Sequence, residues 1–235
     1  RACDLPGIVV EGISTHFADI EDTTDHTFAG RQLDLLRETA TSARALVPGL
    51  LVHCANTAAT ILWPEAHLDL ARVGIGAYGM WPSKETFISA LTVHRDRVQL
   101  RPALTWKTRI TQVKAVDPGE TVGYGRTYFV THPSRLAVIP VGYYDGYDRR
   151  LSNVAHVLVR GRRAPVRGRV AMNMTTVDVT DVPGVMTGDE VVLLGGEGAD
   201  RISAEMAASW MGTINYEVTT RIASHVPRIL RSPAA

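Results

Sequence analysis

Three short polar clusters in the first half of the chain hold residues able to move protons or bind an anion. Thr15-His16, then His53 with Asn56-Thr57, then Arg72 with Gly74-Ile75 each follow or close a short apolar run. Histidine can donate or relay a proton near neutral pH. Arginine is a permanent cation with a rigid fan of donors. A hydroxyl such as that of Thr57, with backbone amides at Gly74-Ile75, suits a phosphate at a helix N-terminus. Two later clusters set tyrosines among glycines, Gly123-Tyr124-Gly125 and Gly142-Tyr143-Tyr144-Asp145-Gly146. A phenol titrates near ~10, so it acts as a base at neutral pH only where cations or donors stabilise the phenolate. Flanking glycines leave the ring uncrowded. Singly, each of these residues could equally cap a helix, satisfy a loop carbonyl or pack in a strand. Polar residues at successive strand ends favour a site.

Those clusters need a scaffold, and the chain supplies two kinds. Ile8 to Ile13 predicts a buried strand, and Phe28 to Val47 an amphipathic helix with Leu33, Leu36, Ala40 and Ala43 on one face. Pro48-Gly49 stops that helix. Leu50 to Ala55 predicts a second strand, and Asn56 or Thr57 a cap for a helix over Ala58 to Leu62. Ala71 to Gly76 predicts a third strand-to-loop passage. Strands alternating with helices imply βα units on a parallel sheet, whose functional residues lie at the C-terminal strand ends. About three such units fall in about 85 residues, whereas a closed (β/α)₈ barrel needs eight in ~250. Gly74-Ile75-Gly76 lacks the third glycine of a dinucleotide fingerprint.

Near residue 95 the period changes to two. Strands are predicted over Leu104 to Val113, Thr121 to Tyr124, Arg135 to Val141, Ala155 to Val159, Ala164 to Val170, Thr176 to Val179 and Glu190 to Leu194. Asp117-Pro118-Gly119, Pro183-Gly184 and Gly195-Gly196-Glu197-Gly198 read as turns. A late helix is predicted over Ser203 to Trp210. The expected fold class is therefore α/β plus β. Residues 1–95 would be the last βα units of an incomplete (β/α)₈ TIM-type barrel. Residues 96–235 would be a mostly-β C-terminal domain, with the segment near 212–230 packing back toward the barrel.

The 235 residues carry 25 Lys and Arg against 24 Asp and Glu, a net charge of +1. That balance gives no electrostatic footprint for nucleic acid or an anionic membrane. No apolar run approaches the ~18 residues of a spanning helix. Cys3 and Cys54 make no disulfide framework and have no metal-ligand spacing with the eight histidines, so no metal is expected. They read as free thiols of a reducing cytosol. Only three of the basic residues are lysines: Lys84, Lys107 and Lys114.

In order along the chain come Gly12-Ile13-Ser14-Thr15-His16-Phe17, His53-Cys54-Ala55-Asn56-Thr57-Ala58-Ala59 and Arg72-Val73-Gly74-Ile75-Gly76-Ala77-Tyr78-Gly79. Val122-Gly123-Tyr124-Gly125-Arg126-Thr127-Tyr128 and Pro140-Val141-Gly142-Tyr143-Tyr144-Asp145-Gly146-Tyr147 follow. Gly168-Arg169-Val170-Ala171-Met172 and Gly212-Thr213-Ile214-Asn215-Tyr216-Glu217 complete the series. Together these motifs resemble the alanine racemases, fold-type III enzymes dependent on pyridoxal 5'-phosphate, over almost the whole chain. The resemblance implies a cytoplasmic homodimer with shared active sites, a barrel that holds the cofactor, and conversion of L-alanine to D-alanine for bacterial peptidoglycan. By motif position, Tyr124 looks like the catalytic tyrosine, with His16 and Arg72 linked to it by hydrogen bonding and Arg72 facing the pyridine nitrogen. Thr57, Gly74, Ile75 and Tyr216 look like phosphate contacts, with Asn56 and His53 beside them. Tyr143 and Met172 look like substrate-side residues.

Racemisation needs two acid/base groups on opposite faces of a planar carbanion. In this family the second is a lysine that also bonds to the cofactor, in an apolar-Lys-Ala-Asn-Ala-Tyr-Gly setting near the N-terminus. No such motif occurs here. None of Lys84, Lys107 and Lys114 has a setting that would lower a lysine pKa, and all three read as solvated or structural. The expectation is a chain that lacks the N-terminal part of the enzyme, with the lysine base and the substrate-carboxylate arginine outside it, inactive alone. Asn173, Tyr144 and His225 depart from the family's common Asp, small residue and Arg. Two alternatives stand beside the alanine racemase reading. One is a racemase for serine or another amino acid. The other is a truncated non-catalytic subunit that donates Tyr124 to a partner.

Overall fold

A computed structural model describes residues 2–21, 24–94 and 98–231. It divides into two compact units, residues 1–103 and 104–235. The change of pattern at residue 95 itself lies outside the described residues.

The first unit is built on a βαβ passage. β1 (Gly12–Ser14) pairs in parallel with β2 (Leu51–His53), in the register Gly12 to Leu51 and Ser14 to His53, and α1 (Thr27–Leu46) connects them. Its apolar stripe buries Ala29, Leu33, Leu36 and Ala40 against Phe17, Ile20, Val52 and Cys54. Each of the two leucines contributes about 1.5–3 kcal/mol by leaving water. Ala43, expected on the same face, is only half-buried. α2 (Thr57–Leu62) starts where the sequence places a cap, and the cap is Asn56, whose side chain accepts from Ala59 N at 3.0 Å. α3 (Lys84–His94) closes the described part of this unit's helical order.

Two strand expectations are corrected here. Ile8 to Glu11 do not extend β1, because β2 offers only three partners; Ile8 and Val9 stay exposed. Ala71 to Gly76 is not a strand. The edge of β2 that would pair with it is taken by a side chain, since Val52 N donates to Asp69 Oδ2 at 2.8 Å. Only scattered backbone bonds remain, Asp69 N to Val52 O and Arg72 N to Ala55 O, and a 3-10 turn over Ile75–Tyr78 follows.

The second unit is mostly β. Its strands are β3 (Trp106–Arg109), β4 (Gln112–Val116), β5 (Thr121–Val122), β6 (Tyr128–Phe129), β7 (Ser134–Ile139), β8 (His156–Val159), β9 (Arg162–Pro165), β10 (Thr175–Asp178), β11 (Glu190–Glu197) and β12 (Asp200–Ile202). β7 lies between β10 and β4 in an antiparallel sheet. β11 is the centre of a second sheet, paired with β3 and β8 on opposite edges and with β12 further along. β9 extends that sheet beyond β8, and β5 with β6 makes a separate ribbon. Both faces of β8 and β11 are covered, since the consecutive residues Val157, Leu158 and Val159, and Val191 and Val192, are all buried.

The predicted strand over Leu104 to Val113 is two strands, and Ala164 to Val170 pairs only as far as Pro165, with one further bridge from Val166 to Val177. Gly195-Gly196-Glu197 is not a turn but the end of β11, paired with β12. α4 (Ala204–Met211) is capped by the Ser203 hydroxyl, which accepts from Met206 N at 3.2 Å. α5 (Asn215–Thr220) follows, and the segment after it hydrogen-bonds within the second unit through Ala223 N to Asp145 O at 3.0 Å.

Candidate active site

Arg72 gathers the polar strand ends of the first unit. Its Nη2 donates to Thr15 O at 3.0 Å, to Cys54 O at 3.4 Å and to His16 Nδ1 at 3.2 Å. Its Nη1 donates to His53 Nδ1 at 2.5 Å. A guanidinium has no acceptor. Both imidazoles must therefore accept through Nδ1, which puts each ring proton on Nε2. Among the described residues Arg72 has no ion-pair partner, so its charge is held by carbonyls and imidazole nitrogens. The sequence could place His16 and His53 at strand ends, but Arg72 sits on no strand and the carbonyls of Thr15 and Cys54 carry no sequence signal.

Beneath this cluster the Cys54 side chain is fully buried and donates to Ala66 O at 3.3 Å. Burial pushes its thiol up, with the Arg72 charge opposing. A half-buried acid, Glu21, is also pushed up by burial, with His16 opposing and Glu85 adding to the rise.

Thr57 organises the next stretch. It is 5% exposed, and its Oγ1 accepts from Gly74 N at 3.2 Å and from Gly76 N at 3.3 Å. A hydroxyl and the backbone of Gly74 to Gly76 thus converge at the head of the 3-10 turn that contains Ile75. The fit is close: a Cβ on Gly76 would lie 2.6 Å from Thr57 Cγ2.

In the second unit Tyr124 opens a 3-10 turn between Gly123 and Gly125, both at φ +71°. Its ring is 73% exposed. Arg126, at φ +51°, is held left-handed in the same turn and donates from Nε to Thr121 Oγ1 at 3.2 Å. A left-handed arginine two residues from an exposed tyrosine is local strain of the kind that collects at functional sites. The turn rests on the loop that follows β9, since a Cβ on Gly123 would lie 3.2 Å from Arg169 N.

Tyr143 and Met172 are brought together by main-chain bonds. Tyr143 N donates to Ala171 O at 3.0 Å and Tyr144 N to Met172 O at 2.8 Å. Asp145 caps this turn by accepting from Gly142 N at 2.9 Å. Tyr216 lies half-buried on α5. The three lysines are all exposed; Lys107 is paired with Glu190 at 2.6 Å. Among the described residues no group of three or more His, Cys, Asp or Glu could hold a metal. No described helix is long and apolar enough to cross a membrane.

Comparison with known proteins bears on both units. The family model for the alanine racemase C-terminal domain matches residues 103–230, and that for the N-terminal domain matches residues 1–82. The chain belongs to the alanine racemase family. The alanine racemase of Leptospira interrogans is 40% identical over 225 residues, which cover 95% of this chain and 58% of that relative. The Bacillus anthracis alanine racemase with bound L-Ala-P superposes with a TM-score of 0.83 at 34% identity, over 94% of this chain and 55% of that one. A Bartonella henselae alanine racemase with covalently bound pyridoxal phosphate gives 0.77 at 28% identity, over 93% and 56%. The chain thus spans a little over half the length of the relatives it matches. As an alanine racemase family member it is α/β, with a partial TIM barrel followed by a β domain.

Proposed function

We propose that this chain contributes to an active site that interconverts L-alanine and D-alanine with pyridoxal 5'-phosphate. The observation that carries the reading is Arg72, a cation held by two imidazole nitrogens and two carbonyls. The residues present fit the cofactor. An arginine without a carboxylate partner suits a neutral ring nitrogen, and the Thr57 hydroxyl with the Gly74–Gly76 backbone suits a phosphate.

The cofactor, when bound, supplies an electron sink that acidifies the α-hydrogen of the amino acid. Thr57, Gly74, Ile75 and Tyr216 would hold the phosphate, with Asn56 fixing the local backbone and His53 the Arg72 side chain. Arg72 would face the ring nitrogen and leave it unprotonated, because a guanidinium does not surrender a proton near neutral pH. That would limit charge spread into the ring and disfavour transamination. His16 accepts from Arg72 and orients it. Tyr124 carries the proton on one face of the α-carbon. Tyr143 and Met172 bound the substrate side. We assign the opposite-face proton carrier to none of Lys84, Lys107 and Lys114, all of which are exposed. The protein works as a cytoplasmic homodimer with each site drawing on both subunits, and its D-alanine serves bacterial peptidoglycan.

The test is chiral analysis of the full-length protein incubated with pyridoxal phosphate and L-alanine, with L-serine and L-arginine in parallel. D-Alanine as the dominant product supports the reading. Faster turnover of serine or arginine, or no D-amino acid at all, overturns it.

A further inference from the structure

The turn that carries Tyr143 is gripped from two sides. On one side its amides bond to Ala171 O and Met172 O. On the other it meets the segment that follows α5. Asp145 O accepts from Ala223 N at 3.0 Å, and Arg221 Nη1 donates to Asp148 Oδ2 at 2.6 Å. His225 completes this second grip. Its Nε2 lies 2.9 Å from Asp145 Oδ1, the same carboxylate whose other oxygen caps Gly142 N. Its ring stacks on Tyr144, centroids 4.9 Å apart at 21°. Tyr144 is 65% exposed, so the ring has little other packing to hold it.

One imidazole therefore ties the Tyr143 turn to the segment leaving the helix that bears Tyr216. A cavity of about 500 Å³, lined by Tyr143, Gly146, Asp148, Arg149 and Arg221, lies along this junction. We propose that His225, with Asp145 and Tyr144, forms a clip that sets the Tyr143 turn against the α5 segment, making His225 a positioning residue for the substrate side of the site. The effect on substrate rests on the alanine racemase reading above; the clip itself does not. A stacked ring bonded to a half-buried cap fixes a turn more firmly than a lone surface pair, because each contact restricts the motion that would break the other.

The experiment compares His225→Ala, His225→Gln and Tyr144→Ala in the full-length protein. Glutamine keeps an N–H donor within reach of Asp145 and loses the stack. The first readout is trypsin cleavage after Arg149 and Arg150, exposed residues just beyond the turn. The clip predicts cleavage roughly tenfold faster in His225→Ala, with an intermediate rise in His225→Gln and in Tyr144→Ala. The second is steady-state kinetics with alanine. Loss of positioning predicts KM raised roughly fivefold or more in His225→Ala with kcat within about twofold, largely rescued in His225→Gln. Unchanged cleavage in both alanine variants overturns the clip. Faster cleavage with unchanged KM overturns the positioning role. If the unaltered protein does not racemise alanine yet the cleavage pattern holds, the functional reading fails and the clip stands. If His225→Ala does not fold, Tyr144→Ala carries both readouts.

Discussion

Substituting Gly76 tests whether the Thr57 hydroxyl and the Gly74–Gly76 backbone form one cradle. A methyl on Gly76 would lie 2.6 Å from Thr57 Cγ2, about an ångström inside the ~3.5–4.0 Å optimum for carbon contacts. Thr57 is buried and tied to two amides, so it has little room to yield. Gly76→Ala alone should cost about 1–3 kcal/mol of overpacking. Thr57→Ser alone removes one buried methyl, about 1 kcal/mol, and keeps the accepting oxygen. Combined, the clash disappears, and alanine then gains about 0.5–1 kcal/mol over glycine in a helical turn. The double variant should therefore be as stable as Thr57→Ser or more so, giving a coupling of about 1–3 kcal/mol in a urea-denaturation cycle. That corresponds to about 2–4 °C in Tm per kcal/mol for a chain of this size. The same double variant should bind pyridoxal phosphate nearly as well as the parent, whereas Gly76→Ala alone should bind it more weakly. Additivity within about 0.5 kcal/mol would refute the contact and, with it, the cradle.

Two further perturbations bear on charge. Arg72→Glu should cut alanine racemisation roughly 10²–10³-fold while raising pyruvate formed per racemisation turnover, because a carboxylic acid can protonate the ring nitrogen and a guanidinium cannot; an unchanged pyruvate partition would contradict the assigned role. His156 has its pKa held below 6.5, first by burial and then by Arg163 and Arg167. As pH falls from 6.5 toward the folded-state value, the unfolded chain takes up a proton that the folded one refuses, so stability declines across that window. His156→Gln should flatten the dependence of Tm on pH between about 7.5 and 5, checked by thermal melts at fixed ionic strength; an unchanged slope would point to another group.

Much of the first unit was legible because its signals are local. The spacing of Leu33, Leu36 and Ala40 set the buried face of α1, and Asn56-Thr57 announced a cap for α2, which the fold places at Asn56. The third strand was misread because Asp69, a side chain, fills the hydrogen-bonding position of a neighbouring strand, and no periodicity reports that. α3 escaped because its buried face carries Thr86 and Ala90 while Phe87, Ile88 and Leu91 face outward. Its apolar residues therefore mark no core. β12 was hidden behind Gly195 and Gly196, which read as a turn although they are paired to it. Among the candidate residues, types were readable at His16, His53, Thr57 and Arg72 in the first unit and at Tyr124 in the second. The partners were not, because Thr15 O and Cys54 O are backbone atoms. Asp145 carries no sequence signal for its contacts, because Gly142 and His225, far apart along the chain, share its carboxylate only in the fold.

The central claim is that Tyr124 moves the α-proton on one face of alanine. Its most direct test is Tyr124→Phe in the full-length protein, assayed in deuterated water for racemisation and for α-hydrogen exchange from each enantiomer. The account predicts racemisation lower by roughly 10²–10⁴-fold, with exchange lost from one enantiomer and retained from the other. Equal loss from both enantiomers, or racemisation at the unaltered rate, would contradict it.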